Sequence, residues 1–289
     1  MKSPYNLLKS YGLSPLKRFS QNFLTDERIA SKIIDLLRLT PDDIVIEVGP
    51  GLGILTERLL DTGARILTIE IDRGLADVLK KRFCDRDNFE IINEDALKVS
   101  YKELASRYGI KSAPAGIKQG FKVVSNLPYN ISTPIIFKFL GEREIFLTLL
   151  LMLQKEVADR IVSDPDTKEY GVVSVLVQLL ADVAIEFEVP PSCFYPEPKV
   201  YSSIVRFNIL QRPRVEVDDI IFFKKVVKAS FGQRRKTLLN ALKVLKLPAL
   251  KIKGALELSD IDPQRRGETL TLKEFGVLSN ELKKISFQG

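Results

Sequence analysis

The chain has 289 residues, 45% of them hydrophobic and 28% charged, enough for one sizeable core with an appendage and too apolar for wholesale disorder. Two cysteines, Cys84 and Cys193, form neither a metal-ligand spacing nor a disulfide framework, and the lack of any histidine excludes Ser-His-Asp and Cys-His hydrolases and most zinc enzymes. The net charge of +7 is uneven: residues 211–289 carry 17 Lys and Arg against 9 Asp and Glu, and the first 25 residues carry four basic residues and no acid, a pattern that suits a polyanion gripped by both ends as well as ordinary solvated lysines.

The start, Met1-Lys2-Ser3-Pro4-Tyr5, has no apolar core of a signal peptide, so a reducing, cytoplasmic setting is expected. Residues 29–39 carry apolar side chains at helical spacing, with Thr25 or Asp26 as cap. Asp43–Val48 is a short β-branched run that ends in glycines, and Gly53–Leu60 resumes helical periodicity. Ala64–Ile71 predicts a second strand, Gly74–Phe83 a helix, Phe89–Asn93 a third strand and Phe121–Ser125 a fourth. Residues 106–120, rich in Gly, Pro and Lys, predict a surface loop. Thr133–Leu140 predicts a helix and Phe146–Leu153 a fifth strand; the apolar stretch Ile145–Leu153 is too short to span a bilayer. This alternation means βαβ units and a mostly parallel sheet. Helices at Gln154–Val162 and Val172–Leu180 follow. Strands at Ala184–Val189 and Ser203–Ile209 are then expected to form an antiparallel, hairpin-like edge. After Gln211-Arg212-Pro213 the texture changes to Lys-rich helices at Ile220–Phe231, Arg235–Leu245 and Leu272–Lys284. The expected organisation is a catalytic domain over 1–209 and a helical domain over 210–289.

The segment Val45-Ile46-Glu47-Val48-Gly49-Pro50-Gly51-Leu52-Gly53 reads as strand, tight turn and helix start, where backbone amides can meet a ligand. Glu70 ends the next strand, where a carboxylate can accept ribose hydroxyls, and Asp95 follows the third, where an acid can accept from an adenine amine. Together they describe a nucleoside pocket. The loop leaves the cofactor open between NAD and S-adenosylmethionine, although the dinucleotide fingerprint places its third glycine one residue beyond Gly53.

Asn126-Leu127-Pro128-Tyr129 follows the fourth strand, beside the switch point of such a sheet. An aromatic amine is a poor nucleophile because its lone pair is delocalised into the ring. The Asn126 side-chain oxygen and the Leu127 or Pro128 carbonyl can accept from its two N–H groups and aim that lone pair at a sulfonium methyl. Pro128 fixes φ, and Tyr129 offers a stacking face. The proton leaves after transfer, so no histidine is needed.

These motifs resemble the ribosomal RNA adenine dimethyltransferase family, in its KsgA/Dim branch. The resemblance runs from Lys17-Arg18-Phe19-Ser20-Gln21-Asn22-Phe23-Leu24 through the glycine turn and Asn126–Thr133. It continues through Gln154–Ala158, Lys168–Gly171 and Phe194–Ser202 to Phe231–Leu238. It implies a class I, Rossmann-like α/β methyltransferase with a seven-stranded, mostly parallel sheet and a small all-helical C-terminal domain. It implies S-adenosylmethionine as cofactor, with contacts at Gln21, Asn22, Leu24, Gly49, Gly51, Glu70, Asp95, Ala96 and Asn126. It implies a flipped adenine stacked between Tyr129 and Phe194, RNA contacts at Lys17, Arg18, Arg234, Arg235 and Lys236, and no metal. The implied partner is small-subunit rRNA or its 30S precursor, met by a monomer with no membrane contact. The implied reaction is dimethylation of N6 on two adjacent adenosines of the 3′-terminal hairpin loop, with a role in subunit biogenesis. Departures are Ser20 for the usual glycine, Tyr201 for the usual aspartate, and the long 106–120 loop. An adenine methyltransferase with another target (large-subunit rRNA or DNA) and a non-catalytic assembly or transcription factor are the competing readings; the intact Gly, Glu70, Asp95 and Asn126 set argues against the latter.

Overall fold

A computed structural model describes residues 22–110, 119–233 and 235–286. Lys17, Arg18, Gln21, Arg234 and most of the 106–120 loop lie outside the described residues. The chain divides into two compact units, one of residues 1–158 with 182–211 and one of 159–181 with 212–289.

The first unit is built on a seven-stranded sheet. Its strands are β2 (Ile44–Val48), β3 (Arg65–Ile69), β4 (Phe89–Ile92), β5 (Phe121–Asn126), β6 (Phe146–Gln154), β7 (Ala181–Val189) and β9 (Ser202–Ile209), in the order β4-β3-β2-β5-β6-β9-β7. A short separate pair joins β1 (Phe23–Leu24) to β8 (Phe194–Tyr195), antiparallel, with Leu24 opposite Phe194. The five strands from β4 to β6 are parallel. Strands covered on both faces need apolar side chains at successive positions rather than alternate ones, and β2 (IVIEV) and β6 (FLTLLLMLQ) read that way. β9 pairs antiparallel with β6 and separates it from β7, which is the edge. The chain runs outward from β2 through β3 to β4 and returns to β5 on the other side, so the switch point lies between β2 and β5.

Helices follow their caps. The Asp26 carboxylate accepts from the Arg28 and Ile29 amides at 2.9 and 3.3 Å and opens α1 (Glu27–Leu37). Arg38, with φ of 45°, ends it before the predicted Leu39. Gly53, not a helical residue, precedes α2 (Ile54–Asp61), and Asp72 caps α3 (Arg73–Arg82) through the Gly74 amide at 2.8 Å. A further helix, α4 (Tyr101–Arg107), lies mostly before the predicted loop and takes up its first two residues. It is too short to show periodicity, and its anchor is tertiary. The fully buried Tyr101 donates its hydroxyl to the Ala96 carbonyl at 3.0 Å and packs edge-on against Phe139 and Phe146. Phe139 belongs to α5 (Ser132–Gly141).

The predicted boundary near 209 falls beside the second crossing between units, but 159–181 does not stay with 1–209. After β6 the chain enters α6 (Lys155–Val162) without a loop, and from Asp159 through α7 (Val172–Gln178) it packs with the C-terminal helices. The ties are polar as well as apolar. The Tyr170 hydroxyl donates to the Leu270 carbonyl at 3.0 Å, the Asp166 amide to the Glu268 carbonyl at 2.9 Å, and Arg214 Nε to the Gln178 carbonyl at 3.0 Å. The rest of this unit comprises α8 (Ile220–Phe231), α9 (Leu238–Ala241), α10 (Ala249–Leu258) and α11 (Leu272–Ser286). The predicted helix from Arg235 to Leu245 is corrected to α9 and a 3-10 turn at Leu242–Leu245. Its first amides, Leu238 and Leu239, are held by the Arg265 and Pro263 carbonyls, which leaves Arg235 and Lys236 in the preceding turn. α10 escaped prediction because its apolar residues lie on opposite faces: Ile252, Ala255 and Leu256 are buried while Leu250 and Leu258 are exposed.

Gly53 has φ of +81°, and an added Cβ would stand 2.8 Å from Leu79 Cδ2 and 3.1 Å from Phe83 Cε2. Gly53→Ala is expected to destabilise the first unit by about 1–2 kcal/mol from the backbone alone, read as a lower urea midpoint; an unchanged midpoint would show that the turn relaxes without cost.

Candidate active site

The strand register sets the geometry. Val48 of β2 stands opposite Ile69 of β3 and Ser125 of β5, and Ile69 stands opposite Ile92 of β4. The next residues, Gly49, Glu70 and Asn93 just beyond their strands and Asn126 at the end of β5, therefore stand at one level. Three bonds hold that level: Gly49 amide to Ile69 carbonyl at 2.9 Å, Ser125 Oγ to Val48 carbonyl at 2.5 Å, and Asn93 Nδ2 to Glu70 carbonyl at 2.7 Å.

Above it lies a cavity of about 290 Å³, lined among others by Asn22, Leu24, Gly49, Gly51, Glu70, Asp95, Ala96 and Asn126–Tyr129. All the described residues expected to touch the cofactor line it. The glycine turn is stiff: Arg82 of α3 donates to the Leu52 carbonyl at 2.6 Å and pairs with Glu57 at 2.7 Å. At Gly51, with φ of +57°, a Cβ would lie 2.9 Å from Phe23 Cδ1, so β1 closes directly over the turn.

Glu70 is 4% exposed, and its carboxylate accepts from the Asp72 amide at 2.9 Å and the Gly51 amide at 3.3 Å. Burial pushes its pKa up to about 7, against those two bonds. Sequence reasoning passed over Glu47, which also lines the cavity. It is buried within β2 and accepts from Thr56 Oγ1 at 2.6 Å, and burial, with repulsion from Glu70, pushes it up to about 8. The available signal was an acid inside an otherwise apolar strand, which is rarely placed there without a use. Also passed over was Ile71, 47% exposed on the cavity wall just after Glu70, a flat apolar site for a base. Asp95 is half-buried and accepts from the Leu97 amide at 2.9 Å.

On the opposite wall, Asn126 Nδ2 donates to the Asn22 carbonyl at 2.9 Å, which leaves Oδ1 as an acceptor. The Pro128 carbonyl accepts from the Ile131 amide at 3.1 Å within the turn into α5. Of the two carbonyls considered from sequence, that of Pro128 thus has one of its two lone pairs engaged within the chain, which favours Leu127 for a ligand. Tyr129 is held at both ends, its hydroxyl 3.2 Å from Ser202 Oγ and its carbonyl accepting from Ser132 Oγ at 3.1 Å. Phe194 is not brought to this cavity. It is 5% exposed and packs in the core with Leu24, Ile33, Val189 and Ile204, because its pairing with Leu24 turns it inward. Of the two rings expected to sandwich a base, Tyr129 therefore lines the cavity and Phe194 packs in the core. Arg235 and Lys236 are exposed in the second unit.

A glycine turn, a buried acid at the second strand end and an Asn-Leu-Pro-Tyr turn at the fourth define an S-adenosylmethionine-dependent methyltransferase of the Rossmann-like class. S-adenosylmethionine would fit this set: the Glu70 and Asp95 carboxylates could accept from its hydroxyl and amine donors, and the exposed Ile71 would offer an apolar face to its base. The chain matches the ribosomal RNA adenine dimethylase family over residues 14–278 and belongs to it; it is an rRNA adenine dimethyltransferase. It is 43% identical over 276 residues to the ribosomal RNA small subunit methyltransferase A of Clostridium acetobutylicum (96% of each chain), and 45% identical over 265 residues to that of Syntrophotalea carbinolica (92% of this chain, 96% of the relative). Among solved structures it is similar to a dimethyladenosine transferase from Plasmodium falciparum, with TM-score 0.73, 27% identity and coverage of 91% and 98%. It is also similar to the 23S rRNA methyltransferase ErmE, with TM-score 0.66, 25% identity and coverage of 91% and 100%. Among the described residues no helix is long and apolar enough to cross a membrane.

A carboxylate that accepts ribose hydroxyls must be ionised, and Glu70 titrates near pH 7 in the free protein. Its folded pKa is raised, so the protonated form prevails below about 7 and ligand binding there must expel a proton. Cofactor affinity, measured calorimetrically, is expected to weaken about tenfold from pH 8 to pH 6, and Glu70→Gln to bind weakly without that slope. Comparing the two proteins cancels the ligand's own titration; parallel pH profiles would remove Glu70 from the ribose.

Proposed function

We propose that the chain dimethylates N6 of two adjacent adenosines in the 3′-terminal hairpin loop of small-subunit rRNA, acting as a cytoplasmic monomer on the subunit or its 30S precursor during biogenesis. The small-subunit assignment is supported by the names of the relatives at 41–45% identity. The reaction at the amine is supported by one observation above all, the bond from Asn126 Nδ2 to the Asn22 carbonyl.

That bond supports the reading that Oδ1, not Nδ2, of the Asn126 amide meets the substrate. Oδ1 accepts one N–H of the target amine and the Leu127 carbonyl accepts the other, which draws the nitrogen from planar toward tetrahedral. Its lone pair then leaves conjugation and points across the cavity, toward the wall of Gly49, Glu70 and Asp95 where the cofactor is held. S-adenosylmethionine supplies an electrophilic methyl group on a sulfonium. Tyr129 stacks on the adenine, which must leave its own stack to enter. The nitrogen carries positive charge after transfer, and its proton is acidic enough to pass to water, so the chain needs no general base. Arg235 and Lys236, with Lys17, Arg18 and Arg234, are the proposed phosphate contacts, and the helical unit adds RNA affinity.

Asn126→Ala is expected to lower kcat by at least about 10²- to 10³-fold, as removal of one preorganised polar partner does elsewhere, while cofactor affinity changes only a few-fold; near-normal turnover sinks the role given to Asn126. Radiolabelled methyl transfer to unmethylated small subunits, large subunits and duplex DNA, with nucleoside analysis, is expected to yield dimethyladenosine in small subunits only. Label in large subunits or DNA overturns the assignment.

A further inference from the structure

In the first unit, large hydrophobic side chains exposed to solvent occur, among the described residues, at three positions: Ile71 at 47%, Val200 at 43% and Tyr201 at 50%. Ile71 is a wall of the cavity. Val200 and Tyr201 lie at the same end of the sheet. β9 is antiparallel to β6, so its first residue, Ser202, stands opposite Gln154, at the end where the parallel strands finish. The Lys155 amide donates to the Tyr201 carbonyl at 2.9 Å and carries the ladder one step further. Ser202 is also the residue that meets the Tyr129 hydroxyl. Tyr201 thus adjoins, through one peptide, the partner of the aromatic wall. Among the described residues its ring has no aromatic or cationic contact. Isolated exposed apolar residues are unremarkable, but exposure confined to the reacting end of a unit marks a surface that a ligand covers.

We propose that Tyr201 is a second aromatic platform, on which the nucleobase beside the target adenosine stacks while the target itself rests on Tyr129. The occupant is single-stranded RNA, because a flipped base leaves its neighbour with one face unstacked, and an exposed aromatic ring at the same end of the sheet as the cavity can replace that lost contact. Base–aromatic stacking is sequence-tolerant, so Tyr201 contributes RNA affinity and register rather than base identity. This inference rests on the proposed RNA substrate and extends it.

The test is steady-state methylation of small subunits by Tyr201→Ala, Tyr201→Leu and Tyr201→Phe, with cofactor affinity measured for each as a check on folding. One stacking contact corresponds to roughly a 5- to 150-fold change in binding. The Ala and Leu variants are expected to raise KM for the subunit in that range with kcat within about twofold, and Phe to keep the parent KM. An unchanged KM in Ala overturns the proposal. So does a Leu variant that matches the parent, which would mean apolar bulk without a flat face, or a Phe variant as impaired as Ala, which would mean a hydroxyl contact. Failure of the underlying RNA reading is distinct, since the unsubstituted protein would then not methylate small subunits.

Discussion

Everything at this site depends on the in-register parallel pairing of β2 with β3 and β5. Because Val48, Ile69 and Ser125 share one rung, Gly49, Glu70 and Asn126 emerge side by side although they are far apart in the chain. Parallel strands connected by helices all end on the same face of the sheet. Where the connections diverge, at the switch point between β2 and β5, the described residues leave a cavity beyond the strand ends. The turn after β2 fills its floor with backbone, and the turn after β5 fills its far wall with an amide, a carbonyl and an aromatic ring.

The electrostatics follow from that enclosure. Two carboxyls, Glu47 and Glu70, face one small cavity from adjacent strands, and burial holds both well above the ordinary carboxylate range. Both are stabilised chiefly as neutral groups in the free protein, and folding stability from them is lost as pH rises through about 7 to 8. A ligand that brings hydroxyl donors and a positive sulfonium reverses that balance, so the free site is poised to ionise on binding. The reacting amine needs no comparable titrating partner, which reconciles a functional site with a chain that has no histidine.

Legibility differed by the kind of signal. Asp26, Asp72 and the positive-φ glycines act locally, and the helices and turns that they set were readable to within a few residues. α4 depends on Tyr101 reaching Ala96, Phe139 and Phe146, contacts that no window of sequence contains. The grouping of 159–181 with the C-terminal helices depends likewise on bonds such as Tyr170 to Leu270, a hundred residues apart. A change in composition near 210 marks where the chain crosses for the last time, and says nothing of the earlier crossing inside α6.

The sequence by itself determined the class of fold, the order of its elements and the residue types of the site, because alternating apolar periods and strand-end Gly, Glu and Asn are local patterns with local causes. Tertiary structure alone decided which groups are free to act. It engaged one lone pair of the Pro128 carbonyl in a turn. It oriented the Asn126 amide through Asn22, and it turned Phe194 into the core by pairing it with Leu24. The physical reason is the same each time: a polar or aromatic group has a fixed number of contacts to make, and only the folded chain shows which are already taken.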